Sequence, residues 1–272
     1  MAITTQAGLV AGLRPAEEIQ KLSVAATAAV LQTLWYAVGR PAAASAPTPG
    51  INGAVLTPQT LGQIQHVNPA AGNAYLARFQ LGASIAQPGT LFLADRIWHN
   101  SGIVVTTTTE QAIVTPAFTN RDRNGASLGH GIMLALECSA VCSNAALITN
   151  CTVRYTNQDG TGSRTAIVNQ TVGIPASFPA ANLVNFYLQD GDTGVRSIEG
   201  ITLGTSLVTG TVHLVAFRNL AVLDCDFPAS RTRDAFQLGL VRLYDNTVPW
   251  LFRLPTTTTA TLFLGHLMEA NG

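Results

Sequence analysis

The stretch that decides the fold is Leu147-Ile-Thr-Asn-Cys-Thr-Val-Arg-Tyr155. Its odd-numbered positions project to one face and include most of its apolar side chains, whereas Asn150 and Arg154 project to the other. A period of two residues is typical of a half-buried β-strand. The segment Asn157-Gln-Asp-Gly-Thr-Gly162 then favours a turn, and residues 164–172 return in a second strand-like run. The sequence therefore predicts a β-hairpin here.

Similar strand-like runs recur along the chain from about residue 73, and Gly, Pro, Asn and Asp residues separate them. About ten antiparallel strands at this spacing favour a β-sandwich or jelly roll over a parallel sheet with crossover helices. The threonine runs Thr106–Thr109 and Thr256–Thr259 suit either edge strands or loops. The further predicted strands are Tyr75–Leu81, Leu91–Ile97, Gly131–Glu137, Val184–Leu188, Ser197–Leu203, Thr211–Phe217, Ala235–Leu243 and Thr261–Leu267.

The N-terminal region has a different pattern, which predicts one α-helix. Pro15 suits the first helical position, apolar residues then recur at helical spacing, and Gly39 suits the end. The Pro/Ala-rich run Arg40–Gly50 predicts an extended linker. The helix could be an arm that docks on a neighbouring subunit or could fold back on its own sheet. This division gives a helical arm with its linker in residues 1–50 and a β-sandwich domain in residues 51–272. The candidate interface residues of the helix are Ile19, Leu22, Val30, Leu34 and Trp35.

The charge content is the strongest pointer to function. Charged residues make up 11% of the 272 residues, against about 25% in ordinary soluble proteins. Lys21 is the only lysine, and between Ser23 and Ala94 the only charged side chains are Arg40 and Arg78. Solubility usually depends on a charged surface. The composition therefore indicates a subunit whose faces are covered by other protein.

Several function classes are disfavoured by the sequence. The formal net charge is zero and no basic stripe could follow a phosphate backbone, so we expect no nucleic-acid binding. No apolar run of about 20 residues could span a bilayer. The N-terminus lacks the pattern of a signal peptide, so we expect synthesis in the cytoplasm. Nucleotide-binding, hydrolase and metalloprotease motifs are not found, so we expect neither an enzyme nor a bound cofactor.

Cysteine chemistry has three possible interpretations. Cys138 and Cys142 form a C-x₃-C pair, Cys151 follows nine residues later, and Cys225 is distant. The first three could be small buried side chains, could include a disulfide, or could contribute to a metal site. A structural zinc site usually has further paired ligands, which are missing here.

Two glycine-containing segments and two aromatic pairs are also candidate sites. Asp190-Gly-Asp-Thr-Gly194 suits a surface turn or a calcium loop. Arg121-Asp-Arg-Asn-Gly125 predicts a turn, and Arg121 and Arg123 are candidates for ion pairs within an interface. A carbohydrate-binding surface would need exposed aromatic residues, for which the only candidates are Trp98 with His99 and Trp250 with Phe252.

Segments spread over most of residues 1 to about 220 resemble a family of structural proteins of tailed-bacteriophage virions. The resemblance implies a structural component of the particle without a settled enzymatic role. The leading hypothesis is a capsid decoration or cement protein, trimeric and bound to the major capsid protein or other virion proteins. A tail, collar or fibre-attachment protein and a receptor-binding β-sandwich are the alternatives. The segments that carry the resemblance are Trp35–Pro41, Asn68–Arg78, Asp95-Arg96, Arg121–Gly125, Tyr155–Gly160 and Asp190–Ser197.

Overall fold

The structure is a computed structural model that describes residues 3–23, 25–34, 48–60, 63–84, 88–225 and 230–272. Its elements are β-strands and two short helices. The helices are α1 (Gln6–Gly12) and α2 (Ala235–Leu238). The strands in the first half of the chain are β1 (Glu17–Leu22), β2 (Leu31–Thr33), β3 (Ala54–Val55), β4 (Ala74–Ala83), β5 (Gly89–His99), β6 (Gln111–Ala112) and β7 (Ile132–Ala140). The later strands are β8 (Thr152–Asn157), β9 (Arg164–Val168), β10 (Asn182–Tyr187), β11 (Val195–Thr202), β12 (Thr211–Cys225), β13 (Arg231–Asp234), β14 (Arg242–Leu243), β15 (Pro249–Leu254) and β16 (Leu262–Asn271).

The long N-terminal helix is a wrong prediction. Residues 17–22 form β1, which pairs antiparallel with β16, and residues 31–33 form β2, which pairs with β10 and β15. Within β1, Ile19 is 1% exposed while its neighbours Glu18 and Gln20 are exposed, which is strand periodicity. Between the two strands, Ala29 has a φ of 61°, which no α-helix allows. The apolar residues of this region recur at helical spacing and show no strong two-residue alternation. Pairing with distant strands has therefore overridden the helical pattern. The predicted linker falls mostly outside the described residues, and residues 48–50 are irregular.

A six-stranded antiparallel barrel forms the centre of the molecule. Its strands follow the order β2, β15, β5, β12, β7 and β10, and the pairing of β10 with β2 closes the ring. Aromatic side chains fill much of the interior. The Phe252 ring stacks on Phe92 at 4.8 Å between centroids, and Phe217 meets Trp250 edge-on at 5.6 Å. The interior is a packed core, as expected for a barrel of few strands.

Two layers cover the outside of the barrel. In one, the separate sheet β1-β16-β4-β13, with β14 beside β4, buries side chains such as Phe79, Phe263 and Leu267 against Leu93 and Leu251 of the barrel. The other layer continues from β10 through β9, β8 and β11 to β6. It folds over β7 and β12 and encloses the largest core, to which Tyr155 contributes. The described residues thus bury three apolar clusters, one inside the barrel and one under each layer.

The prediction of a mainly antiparallel β-protein is confirmed, whereas the finer prediction of a sandwich or jelly roll is not. Sequence periodicity identifies strands but does not specify which of them pair. β12 shows the difficulty, because its 15 residues pair with both β5 and β7 and its register shifts at bulges. Such a long, bulged strand can bend around a barrel.

Most individual strand predictions agree with the structure. The predicted hairpin is formed by β8 and β9, with Tyr155 opposite Arg164, but β8 begins only at Thr152 and β9 ends at Val168. The strand predicted over Ala235–Leu243 is wrong, because the first part of this segment is helix α2. The Asp234 side chain accepts hydrogen bonds from the backbone N–H groups of Phe236 and Gln237, which caps this helix. Gly239 ends it in the left-handed conformation, with φ of 64°. Both threonine runs lie in turns or irregular segments, so the edge-strand interpretation is also wrong.

Candidate functional site: buried charges and exposed apolar surface

Several of the scarce charged residues lie inside the molecule. Charged side chains are rarely buried unless they are paired, yet eight of the charged residues that the structure describes are buried. The eight buried residues are Asp95, Arg96, Arg121, Asp122, Glu137, Arg218, Arg253 and Glu269.

One buried ion pair joins the barrel to a loop. Arg121 donates hydrogen bonds from Nε and Nη2 to the two carboxylate oxygens of Asp95 on β5. The same guanidinium donates to the backbone carbonyls of Leu56, at 2.5 Å, and Arg96, at 3.1 Å. Asp95 also accepts a hydrogen bond of 2.9 Å from the backbone N–H of Val248. Arg121 thus forms its ion pair within its own chain, so the prediction that it forms an interfacial ion pair is wrong.

The neighbouring Asp122 organises the turn that the sequence predicted. Its Oδ1 accepts hydrogen bonds from the backbone N–H groups of Asn124 and Ala126, both at 2.8 Å. Its Oδ2 accepts from the N–H groups of residues 128–130. One buried carboxylate therefore accepts hydrogen bonds from five backbone N–H groups of the loop, and Arg123 is left exposed at its tip.

A second polar cluster lies inside the barrel. Arg96 donates to Glu137 Oε2 at 2.5 Å, and its Nη2 lies 2.9 Å from His99 Nδ1. The His99 ring lies 5.8 Å from the ring of His213. His213 in turn contacts the carbonyl of Asn100 at 2.7 Å. Arg96, His99 and His213 thus contact backbone and side-chain partners within the core, which fits a role in fixing the barrel's structure.

A third buried charge fastens the N-terminal strands. Arg253 on β15 donates to Gln32 at 2.8 Å, to Thr261 at 3.2 Å and to Ser23 at 3.3 Å. Its guanidinium also lies 5.4 Å from the centre of the Phe263 ring. These contacts connect β2, β15 and the segments on either side of the β1–β16 pair. They explain further why residues 17–34 join the β-structure instead of forming an independent arm.

The Asp190–Gly194 segment is a turn held by side chains. Asp192 accepts hydrogen bonds from Tyr155 at 2.5 Å, Asn157 at 2.7 Å and Arg164 at 2.9 Å. Partial desolvation alone would raise the pKa of Asp192, but these three donors outweigh it and hold the pKa below its usual value. Its carboxylate oxygens are thus occupied by protein donors, which favours the turn over the calcium loop. Among the described residues, no group of three or more His, Cys, Asp or Glu side chains could hold a metal ion.

All four cysteines are buried free thiols in the structure. The Sγ atoms of Cys138 and Cys142 lie 3.9 Å apart, a contact distance and not a bond. Their mutual hydrogen bond raises the pKa of Cys138 and lowers that of Cys142. Cys151 faces the main core, and burial raises its pKa to about 12. This arrangement matches the interpretation of these residues as small core side chains.

The aromatic pairs proposed for carbohydrate binding are in the core. Trp98 and His99 are 0% exposed, Trp250 is 1% exposed and Phe252 is 2% exposed. Trp98 donates to the carbonyl of Asn52 at 3.2 Å. A sugar-binding platform made of these four side chains is therefore ruled out.

The other candidate interface residues separate into two groups. Ile19, Val30 and Leu34 are buried in this chain's own apolar clusters. Leu22 remains 65% exposed at the end of β1. Trp35 lies outside the described residues. For Leu22 and Arg123 the interface assignment stays a prediction, and its basis is now an edge strand and a loop tip instead of a helix.

An exposed apolar groove lies between the two helices, and the sequence did not point to it. We call it the α1–α2 groove. It encloses about 390 Å³, and its apolar lining includes Val10 of α1, Leu13 just after α1, Phe236 of α2 and Met268 of β16. Phe236 is 76% exposed and Val10 62%. α1 itself carries no charged residue, and none of its seven residues is buried. The available signal was the Asp234–Gln237 capping pattern, which places Phe236 at the start of a helix and not in a strand.

None of the described helices is long and apolar enough to cross a membrane. No protein-family model matches the chain, and no curated protein matches it. Solved structures that align with it include that of infectious bursal disease virus Gt strain, at 11% identity over 95% of this chain and 82% of the other, with a TM-score of 0.18. Another is the VP2 subviral particle of the same virus, at 9% identity over 95% and 80%, with a TM-score of 0.20. Scores this low do not establish a shared fold, so the function must be inferred from the chain's own residues.

Proposed function

We propose that this chain is a structural subunit of a virus particle, and specifically a decoration or cement protein on the head of a tailed bacteriophage. The observation that carries the proposal is the low charge content of the chain, in which only 11% of the residues are charged. A free monomer gains solubility from surface charge. A subunit covered by neighbours needs less of it, and interfaces between permanent partners are depleted in charge.

The α1–α2 groove is the surface through which the subunit would contact the shell. Monomeric soluble proteins seldom expose large contiguous apolar patches, and such patches often mark interaction sites. Covering a side chain such as Phe236 stabilises a complex by roughly 2 kcal/mol. A contact of this size is weak in one copy, but it is repeated over every copy on a shell. The proposed role is therefore mechanical reinforcement, not catalysis, and the proposed partner is the major capsid protein.

The resemblance of several segments to tailed-phage virion proteins supports the same class of function. It applies equally to a tail, collar or fibre-attachment subunit. The trimer expected from the sequence belongs to the proposal and has no separate structural support.

Binding to bare phage heads tests the proposal. Purified chain should bind heads that lack decoration, saturate at a fixed ratio to the major capsid protein, and raise the temperature at which the heads rupture. Binding to purified tails in place of heads would support the tail or collar role. Binding to neither particle would reject the virion assignment.

A further inference from the structure

In the described part of the chain, one edge of the sheet β1-β16-β4-β13, which we call the outer sheet, has no neighbouring strand. β1 is the terminal strand in the order β1-β16-β4-β13, and within the described part of the chain it pairs only with β16. The backbone N–H of Ser23, just beyond β1, donates to Thr261 at 2.9 Å. Hydrogen-bonded pairs alternate along an antiparallel ladder. The odd-numbered residues of β1 therefore bond to β16, and the N–H and C=O groups of Glu18 and Gln20 point away from the sheet.

The side chains alternate in the same way. Ile19 is buried, Glu17 and Lys21 are half-buried on the same inner face, and Glu18, Gln20 and Leu22 are exposed on the outer face. When a second copy of β1 adds antiparallel to this edge, opposed residues must share a face. This condition requires the two-fold axis to pass through a residue of β1. If the second strand were shifted by one residue, inner side chains would lie opposite outer ones.

We propose that two copies of this chain associate through their β1 strands, antiparallel and about a two-fold axis at Ile19. In this register Glu17 of each copy lies opposite Lys21 of the other copy, which gives two symmetry-related pairs. Directly opposed residues of opposite charge can form ion pairs. Glu18 and Gln20 of the two copies exchange four backbone hydrogen bonds. The two outer sheets become one continuous sheet across the axis.

Charge selects this register over its neighbours. Centring on Glu18 would place the two copies of that glutamate against each other, and centring on Lys21 would oppose the two lysines. Centring on Gln20 would leave Lys21 opposite Ile19. Burial lowers the pKa of Lys21, and a carboxylate from the second copy would favour its charged form.

The strand at the opposite edge of the same sheet, β13, is not self-complementary in this way. β13 has only four residues, all exposed, and its sequence is Arg231-Thr-Arg-Asp234. Pairing β13 with itself about Thr232 would oppose Arg231 to Arg233 of the other copy, and this repulsion protects the edge. The self-complementary edge is therefore a property of β1 and not of every strand end in this molecule.

The inference adds a second copy as a partner to the proposed assembly role, but it depends only on β1. A two-fold pair also differs from the trimer expected from the sequence, which would have to form through another surface. Leu22 and Leu264, which is 50% exposed, lie on the outer face of the joined sheet. Pairing would therefore place both copies' exposed leucines on one surface.

Backbone substitution gives the first test. Gln20→Pro removes an N–H that β1 does not use toward β16, so the monomer should stay folded by circular dichroism. It removes one donor per copy from the proposed pair, so the dimer dissociation constant in sedimentation velocity should rise by about tenfold or more. Gln20→Ala keeps the N–H and should dimerise like the unchanged chain.

Charge exchange gives the second test, which does not depend on a backbone change. Glu17→Lys and Lys21→Glu should each abolish self-association, because each variant opposes like charges. Mixed together, the two variants should form a heterodimer, and the double variant should again pair with itself.

The inference is overturned if the unchanged chain is monomeric at all accessible concentrations, if Gln20→Pro and Gln20→Ala behave alike, or if the mixed variants fail to associate. Binding of the Gln20→Pro protein to bare heads would leave the virion proposal standing independently of each of these outcomes.

Discussion

Replacing Arg121 by methionine tests whether the buried charges stabilise the fold. The substitution removes the hydrogen bonds that Arg121 donates to Asp95, Leu56 and Arg96. Asp95 would then keep the N–H of Val248 and a more distant guanidinium, that of Arg218 at 3.9 Å. Removing one partner of a buried ion pair typically costs about 3–5 kcal/mol, because the remaining charge is uncompensated. We expect a loss of this size in the free energy of unfolding.

Urea unfolding followed by tryptophan fluorescence measures this loss, since Trp98 and Trp250 are both buried. Arg123→Met is the matched control, because Arg123 is exposed two residues away and its replacement should change stability by less than about 0.5 kcal/mol. Adding Asp95→Asn to Arg121→Met should recover part of the loss, because the stranded charge is then gone. A loss below about 1 kcal/mol for Arg121→Met, or a double variant that is less stable still, would refute this reasoning.

Three further predictions concern single side chains. Phe236→Ala should leave the stability of the free chain within about 0.5 kcal/mol but weaken binding to bare heads; equal binding would remove the α1–α2 groove from the proposal. Asp192→Asn should destabilise the chain at neutral pH, and the difference from the unchanged chain should shrink as pH falls below about 4, because the folded state holds the pKa of Asp192 below its unfolded value. A difference that grows in acid would contradict this sign. Cys151, whose pKa is raised to about 12, should resist iodoacetamide in the folded protein and react in urea, as followed by mass spectrometry; rapid labelling of the folded chain would contradict its burial.

The sequence predicted strands well where alternation was strong and local. The β8–β9 hairpin is an example, because its turn and both of its strands lie within about twenty residues. The N-terminal region was misjudged because Ile19, Leu22 and Val30 have apolar spacing that fits a helix as well as separate strands. The choice between them depends on β16, whose residues lie more than 200 positions away along the chain.

The buried charge network could not be predicted for the same physical reason. Asp95 and Arg121 are separated by 26 positions, and Arg253 meets Gln32 across 221 positions. A charged residue between apolar neighbours in a strand resembles a solvent-facing position until its partner is known. The Arg121–Gly125 turn was recognisable from local turn chemistry, whereas the inward direction of Arg121 depends on the barrel behind it.

The most direct test of the central claim is the sedimentation velocity of the purified chain, alone and mixed with bare phage heads. A chain with so few charged residues should be covered by protein, so we predict self-associated species in the first sample and chain that sediments with the heads in the second. A single monomeric boundary in both samples, up to the highest concentration reached, would contradict the account.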